Sequence, residues 1–201
     1  MKTKSTHRCE STLEFEFMYL VEFDPLVRSF EAQPISLPYT NEKGRKTRYT
    51  PDLKIVYTNK GAQQLGYAFS LVEIKYKGEL DQFKEDFAPA FNAAQVYCDT
   101  EGGIFEIVHE DIIKTPKLAS YKFLHRYLDA ASVPKMDFDL MKLASELGTF
   151  TPNDWVSKIS GTGRTRNQAL ANLWHLVATR TLEIDFDSQI TMKSTIKLPT
   201  S

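Results

Sequence analysis

The stretch Ala68-Phe69-Ser70-Leu71-Val72-Glu73-Ile74-Lys75 places an acid and an amine two positions apart at the end of an apolar run. Its composition predicts a central β-strand. Side chains alternate between the two faces of a strand, so Glu73 and Lys75 point the same way. Another acid, Asp52, follows Thr50-Pro51 at a predicted turn. If Asp52 lies beside the neighbouring strand, two carboxylates and an ammonium converge.

Each of these residues also has a purely structural interpretation. Pro-Asp is a common turn dipeptide, and Glu73 with Lys75 could form a salt bridge on an exposed edge strand. The apolar residues before Glu73 favour a buried strand, where charges are rare unless they are paired or bound to metal. Carboxylates can hold Mg²⁺ or Mn²⁺, which activates water against a phosphodiester.

The composition of the 201-residue chain fits an ordinary globular protein. No apolar run is long enough to span a membrane, and no apolar signal core follows the N-terminus. We therefore expect a cytoplasmic protein with no membrane partner.

Cys9 and Cys98 have no metal-binding spacing, which favours reduced thiols. Residues 1–110 carry 13 basic and 17 acidic side chains, and residues 111–201 carry 12 and 9.

The first half of the chain predicts an α/β core with a mixed sheet. Ser11 and Glu14 form a capping-box pattern that begins a helix ending near Phe23. Extended segments follow, with a basic turn at 41–46 and a loop at 59–66. A helix then starts at Gly78-Glu79, with Pro89 expected to kink or split it, and a further strand covers 104–108. We place this domain at residues 1–112.

The remainder, residues 113–201, predicts an α-helical domain that ends in a strand hairpin. Helices are expected at 117–130, from Asp137, from Thr151-Pro152 and at 164–179. Residues 182–186 and 194–198 would form the closing hairpin. Helices followed by a two-stranded wing are typical of a winged helix-turn-helix, a DNA-binding or partner-binding fold.

Several polar residues are weaker candidates for contact with DNA. Arg164, Arg166 and Asn167 lie at the start of the last predicted helix, where recognition helices contact bases and phosphates; they could equally be helix formers on a solvated face. Gln33, before Pro34, could line a site or satisfy backbone groups. Lys77 continues the alternation of Glu73 and Lys75, and it could contact a phosphate or only solvent.

The order and spacing of several short motifs resemble those of the TnsA-type transposon endonucleases, which belong to the PD-(D/E)xK restriction-endonuclease-like nucleases. The motifs are Ser11-x-Leu13-Glu14-x-x-Phe17, Leu20-x-Glu22-Phe23-Asp24-Pro25-x-Val27, Phe30-x-x-Gln33-Pro34, Tyr49-Thr50-Pro51-Asp52 and Val72-Glu73-Ile74-Lys75. The resemblance implies a restriction-endonuclease-like nuclease core followed by a winged-helix-like domain.

The resemblance also implies residue roles. Asp52, Glu73 and the backbone carbonyl of Ile74 would bind Mg²⁺, with Mn²⁺ able to replace it. Lys75 would orient or activate water and stabilise the phosphate. Glu14 would be a further catalytic acid and a candidate metal ligand, although as a capping residue it needs no catalytic role. Some family members have Gln in place of Glu73.

The implied function is nicking of the 5′ ends, on the non-transferred strand, of a cut-and-paste transposon in the bacterial cytoplasm. The implied partners are double-stranded transposon-end DNA, a TnsB-type transposase and a TnsC-type AAA+ ATPase regulator. Two alternatives stay open on the residues alone. One is a resolvase-like or repair nuclease that acts without partners, and the other is a non-catalytic module that bridges DNA ends and a regulator.

Overall fold

The fold is that of a computed structural model, which describes Lys2, residues 11–131 and residues 133–199. The chain divides into two compact units, the first ending at Lys114 and the second beginning at Thr115. Cys9 lies outside the described residues. Cys98 is a buried free thiol. No helix within the described ranges is long and apolar enough to cross a membrane.

The first unit alternates helices and strands around a four-stranded sheet. In chain order its elements are α1 (Thr12–Phe23), β1 (Val27–Ala32), β2 (Leu37–Thr40), β3 (Lys46–Tyr49), β4 (Leu53–Tyr57), α2 (Asn59–Leu65), β5 (Phe69–Ile74), α3 (Lys77–Gln82), α4 (Lys84–Glu101), β6 (Ile104–Val108) and α5 (Glu110–Ile113).

The sheet has the strand order β1-β4-β5-β6 and is mixed, as predicted. β4 pairs antiparallel with β1 and β5, whereas β5 pairs parallel with β6. A parallel pair needs a long crossover connection, which α3 and α4 supply. All six residues of β5 are buried, so the apolar run of the sequence forms a central strand. Glu73 is therefore embedded in the core of the sheet rather than on an exposed edge.

Helix α1 begins where its capping residue predicts. The Ser11 hydroxyl accepts a hydrogen bond from the backbone N–H of Glu14 at 3.1 Å, which satisfies one of the unpaired N–H groups of the first turn. The helix packs against β1 and α5. It ends before Asp24, whose carboxylate accepts the N–H of Leu26 at 2.8 Å.

Strands β2 and β3 form a hairpin that is separate from the main sheet. Leu37 at its base is buried in a cluster with residues of β5 and α4, namely Phe69, Leu71, Ala94 and Cys98. At the turn, the Asn41 side chain accepts the backbone N–H groups of Lys43 and Arg45. Gly44 has a φ of 71°, which glycine adopts without strain.

One prediction for the first unit is wrong, and a second differs in position. Residues 59–65 form helix α2 rather than a loop, capped by Thr58 and ended by Gly66 in the left-handed conformation. Gly61, a loop signal in the sequence, instead serves packing: a Cβ there would lie 2.6 Å from the carbonyl oxygen of Leu26. The helix predicted from Gly78 is split, but at Phe83, between α3 and α4, rather than at Pro89, which lies inside α4.

The second unit combines helices with a small antiparallel sheet of order β7-β9-β8. Its elements are α6 (Pro116–His125), α7 (Pro134–Leu147), β7 (Thr149–Phe150), α8 (Pro152–Ile159), α9 (Arg166–Ala178), β8 (Glu183–Ile184) and β9 (Ile196–Lys197). The predicted pairing of the last two strands is present, and β7 adds a third strand that the sequence does not predict.

Three helix boundaries in the second unit differ from the prediction. Helix α6 ends at His125 rather than near residue 130. Helix α7 begins at Pro134, with Asp137 inside its first turn, because proline is well suited to the first helical position. Helix α9 begins at Arg166, capped by Thr165, so Arg164 precedes the helix.

Candidate active site

Asp52 and Glu73 come together at one end of the β4–β5 pair. Leu53 pairs with Val72 in antiparallel register. Asp52, one residue before Leu53, therefore lies next to Glu73, one residue after Val72. The backbone N–H of Ile74 donates to Asp52 Oδ2 at 2.7 Å. The two acids are 21 positions apart in the sequence, and the sheet register brings them together.

Lys75 completes the predicted cluster. Its ammonium lies 2.7 Å from Glu73 Oε1 and 4.0 Å from Asp52 Oδ2. Glu73 is only 4% exposed, whereas the side chains of Asp52 and Lys75 are 17% and 23% exposed. Glu73 therefore forms the floor of the site, and Asp52 and Lys75 remain open to solvent.

Tyr49 is a member of the site that the sequence pattern does not reveal. Its hydroxyl donates to Glu73 Oε2 at 2.5 Å, so both Glu73 oxygens are engaged. The ring packs against Phe91 of α4 and Phe105 of β6. Tyr49 belongs to the run before Asp52, but its contact depends on the position of the β2–β3 hairpin, for which the sequence carries no local signal.

The electrostatics of the site are dominated by burial and by the proximity of the two acids. Burial and then the charge of Glu73 raise the pKa of Asp52 from 3.8 to about 7, against the opposing effects of the Ile74 N–H and Lys75. Glu14 adds a smaller contribution that raises the pKa further. Asp52 can therefore exchange a proton near neutral pH, and a cation beside it would favour the ionised form.

Lys75 and Tyr49 both stay protonated in this environment. Burial lowers the pKa of Lys75, but its bond and ion pair with Glu73 and the charge of Asp52 outweigh it, and the net shift is upward. Burial, followed by the charge of Glu73, raises the pKa of Tyr49 well above its usual value. Both groups consequently act as hydrogen-bond donors to Glu73.

The other predicted site residues of the first unit, Glu14, Gln33 and Lys77, differ in how they relate to this cluster. Glu14 is half-buried on α1, and its charge is felt by Asp52. The side chain of Gln33 is exposed, and its backbone N–H donates to the Asp52 carbonyl at 3.0 Å. Its φ of 49° is unusual for a residue other than glycine. Lys77 does not continue the strand alternation, because β5 ends at Ile74; it begins α3 and pairs with Asp111.

The predicted DNA contacts of the second unit differ in exposure and pairing. Arg164 is held by Asp139 at 2.9 Å and is only 20% exposed. Arg166 and Asn167 are exposed on the first turn of α9. Trp155 and Trp174 are buried and belong to the core of this unit.

The donor set at the site fits a hard divalent cation. It offers two carboxylates, and the carbonyl of Ile74 faces the same side of β5 as the N–H that contacts Asp52, because both groups of a strand residue point to one edge. Mg²⁺ is commonly held by one or two carboxylates together with water. Within the part of the chain that the structure describes, no three Asp, Glu, His or Cys side chains form a metal-binding group.

Comparison with known families bears directly on this cluster. A family model described as the TnsA-like endonuclease N terminal matches residues 24–110. Residues 24–110 are thus similar to the N-terminal domain of TnsA-like endonucleases. The resemblance to TnsA-type endonucleases is therefore confirmed over this segment. A search of curated proteins found no match to the chain.

The TnsA-like segment contains all four residues of the cluster, namely Tyr49, Asp52, Glu73 and Lys75. The match associates the segment with nuclease chemistry and with DNA transposition. Glu14 on α1 and the whole second unit lie outside residues 24–110, so their roles rest on other arguments.

Proposed function

We propose that this protein is a Mg²⁺-dependent DNA endonuclease that nicks the 5′, non-transferred-strand ends of a cut-and-paste transposon. The observation that carries the proposal is the cluster of Asp52, Glu73 and Lys75 inside the segment that matches the TnsA-like endonuclease model. Buried charges of this kind are rarely retained without a function. Mn²⁺ is expected to replace Mg²⁺.

Asp52, Glu73 and the Ile74 carbonyl would hold the metal, with Glu14 as a candidate outer acid. When bound, the metal supplies a Lewis acid that lowers the pKa of water and offsets charge on the phosphate. Lys75, the partly exposed cation of the cluster, orients the attacking water and stabilises negative charge on the phosphoryl oxygens. Tyr49 holds Glu73 in place from the opposite side to Lys75.

The second unit is proposed to be a winged-helix-like domain that binds DNA or a partner. The pairing of β8 with β9 beside several helices supports this assignment, and so do the exposed Arg166 and Asn167 on the first turn of α9. The proposed partners are a TnsB-type transposase, which cuts and joins the 3′ ends, and a TnsC-type AAA+ regulator. Gln33 and Lys77 are proposed as further DNA contacts.

The direct test is strand nicking by Asp52→Ala and Lys75→Ala with transposon-end DNA, Mg²⁺ and the partner transposase present. We expect 5′-end nicking to fall by roughly 100-fold or more, because each substitution removes a group that acts in the transition state. Glu31→Ala and Lys60→Ala remove exposed charges elsewhere in the first unit and serve as matched controls.

Circular dichroism should show that all four variants remain folded. Full nicking by folded Asp52→Ala or Lys75→Ala would contradict the assignment. Efficient cleavage of plain or branched DNA by the wild-type protein alone would instead favour a nuclease that acts without partners.

A further inference from the structure

The β2–β3 hairpin concentrates positive charge in an otherwise acidic unit. Residues 41–48 contain four basic side chains and a single acid, Glu42. The rest of residues 1–110 carries 9 basic and 16 acidic side chains. A nuclease core with a net negative charge must overcome repulsion from the DNA backbone, and this hairpin is the part of the core suited to that task.

The hairpin has an anchored face and a free face. Cross-strand pairing places Leu37, Tyr39, Thr47 and Tyr49 on one face, and Leu37 and Tyr49 pack against the core. The opposite face carries Pro38, Thr40, Lys46 and Arg48, all exposed. The core thus fixes the hairpin through one face and leaves the basic face available to a ligand.

The basic side chains at the turn have no competing carboxylate partner among the described residues. Within those residues, Lys43, Arg45 and Lys46 are exposed and make no ion pair. A cation without an ion-pair partner in the protein can bind an external anion without breaking a salt bridge. The phosphates of DNA are such anions.

The turn of the hairpin is ordered before any ligand arrives. Asn41 Oδ1 accepts the N–H groups of Lys43 and Arg45 at 3.1 and 3.0 Å, and Gly44 adopts a positive φ. At the base, Arg48 donates to the hydroxyl and carbonyl of Ser36 at 2.8 and 2.6 Å. A hairpin fixed at both ends loses little conformational freedom when it binds.

The base of the hairpin is also joined to the candidate active site. Tyr49, its last residue, donates to Glu73, and Arg45 lies four residues before it, about 13 Å along the chain at ~3.3 Å per strand residue. We propose that residues 37–49 form an arm that binds backbone phosphates of duplex DNA next to the scissile phosphodiester, through Lys43, Arg45 and Lys46. This inference rests on the proposed nuclease function and names the surface that positions its substrate.

Equilibrium binding of the full-length protein to a fluorescein-labelled random duplex, without divalent metal, tests this arm separately from catalysis. The hairpin variant is Lys43→Gln/Arg45→Gln/Lys46→Gln. The matched control is Arg28→Gln/Lys60→Gln/Lys84→Gln, which removes three exposed cations elsewhere in the first unit. A Lys43→Arg/Lys46→Arg variant keeps the charge on the hairpin.

At about 20–50 mM salt we expect the hairpin variant to lose at least about 10-fold in affinity, and its slope of log K against log salt to fall by about 2 to 3. The control and the Lys-to-Arg variant should stay close to wild type. The proposal is overturned if the hairpin variant binds like wild type, if the control loses as much, or if wild type does not bind the duplex at low salt.

The result is distinguishable from a failure of the nuclease assignment. Nicking that survives Asp52→Ala would contradict the enzyme but leave the binding measurement unaffected. Normal binding by a folded hairpin variant would remove the arm and leave the nuclease assignment intact. Circular dichroism decides whether the hairpin variant is folded; a loss of binding that persists when its melting curve matches wild type supports the arm.

Discussion

Asp52 lies in an environment that departs strongly from that of a free side chain. Its pKa is raised to about 7, which means that the folded protein disfavours the carboxylate at neutral pH. Below pH 3.8 the carboxyl is protonated in both the folded and unfolded states. Between pH 3.8 and about 7 only the unfolded chain releases the proton, so stability falls across this window as pH rises.

Asp52→Asn should remove this pH-dependent loss of stability, because an amide has no charge to desolvate. Its side-chain oxygen can still accept the Ile74 N–H. We expect the metal-free variant to exceed wild type in free energy of unfolding by about 1–2 kcal/mol at about pH 8, with no gain at about pH 3.5. Denaturant titration in EDTA at the two pH values measures it. Glu31→Gln, at an exposed carboxyl on β1, is the control, and an equal gain for Asp52→Asn at both pH values would contradict this account.

Tyr49 acts on the site through a single hydroxyl. Tyr49→Phe keeps the ring that packs on Phe91 and Phe105 but removes the donor to Glu73 Oε2. We expect the Mg²⁺ concentration for half-maximal nicking to rise and the nicking rate to fall by roughly 10-fold, since Glu73 loses one of the bonds that orient it.

Tyr57→Phe is the matched control, because the Tyr57 hydroxyl also forms a side-chain hydrogen bond with a residue of β5, Ser70, at 2.9 Å. A merely structural role for Tyr49 would lower the melting temperature and leave the Mg²⁺ dependence unchanged. Equal behaviour of the two variants in the Mg²⁺ titration would therefore count against a positioning role.

Helix α2 depends on a glycine that packs against backbone. The chain passes so close to Leu26 that a Cβ at Gly61 would lie 2.6 Å from a backbone oxygen. Backbone cannot move aside as a flexible side chain can. Gly61→Ala should therefore destabilise the protein by about 2–4 kcal/mol despite the better helix propensity of alanine.

Gly78→Ala supplies the comparison within another helix of the same unit. Gly78 lies in α3, and a Cβ added there would meet no other atom of the described chain within 4 Å. Alanine at this position should stabilise the protein by up to about 1 kcal/mol. Urea denaturation measures whether each substitution lowers or raises the free energy of unfolding. A neutral Gly61→Ala would show that α2 and the segment before β1 can separate at little cost.

At the scale of the whole molecule, divalent metal should stabilise the folded chain. The charge of Glu73 disfavours ionisation of Asp52 even with Lys75 beside both acids. A ligand that binds only the folded state adds about 2.7 kcal/mol at roughly 100 times its dissociation constant. Ca²⁺, Mg²⁺ and Mn²⁺ should raise the melting temperature of wild type, and Asp52→Asn should lose most of this increase.

Sodium chloride of equal ionic strength controls for general screening. A wild-type protein whose melting temperature is insensitive to all three cations would have no metal site. That outcome would favour the non-catalytic bridging alternative over the nuclease.

The sequence predicts those parts of the molecule that depend on short-range pattern. The apolar run before Glu73 predicts the buried strand β5, which the structure contains. The capping residues Ser11 and Thr151 mark true helix starts. These features depend on neighbours within a few positions, and local physics is enough to determine them.

Features that depend on distant packing could not be predicted in the same way. The bond from Tyr49 to Glu73 joins residues 24 positions apart and requires the hairpin to lie against α4. Gly61 reads as a loop residue in the sequence because its close contact with Leu26 exists only in the folded chain. The pattern also places Arg164 in a helix although Thr165 is the cap, since several polar residues there could each begin a helix.

Cys98 gives the first unit a built-in reporter. Its thiol is buried in the cluster with Leu71 and Ala94, and burial raises its pKa, so both access and thiolate content are low in the native state. In a Cys9→Ser background, the rate of alkylation at Cys98 would follow the opening of this cluster. Native-state thiol labelling can thus compare the opening free energies of variants without denaturant and without a spectroscopic probe.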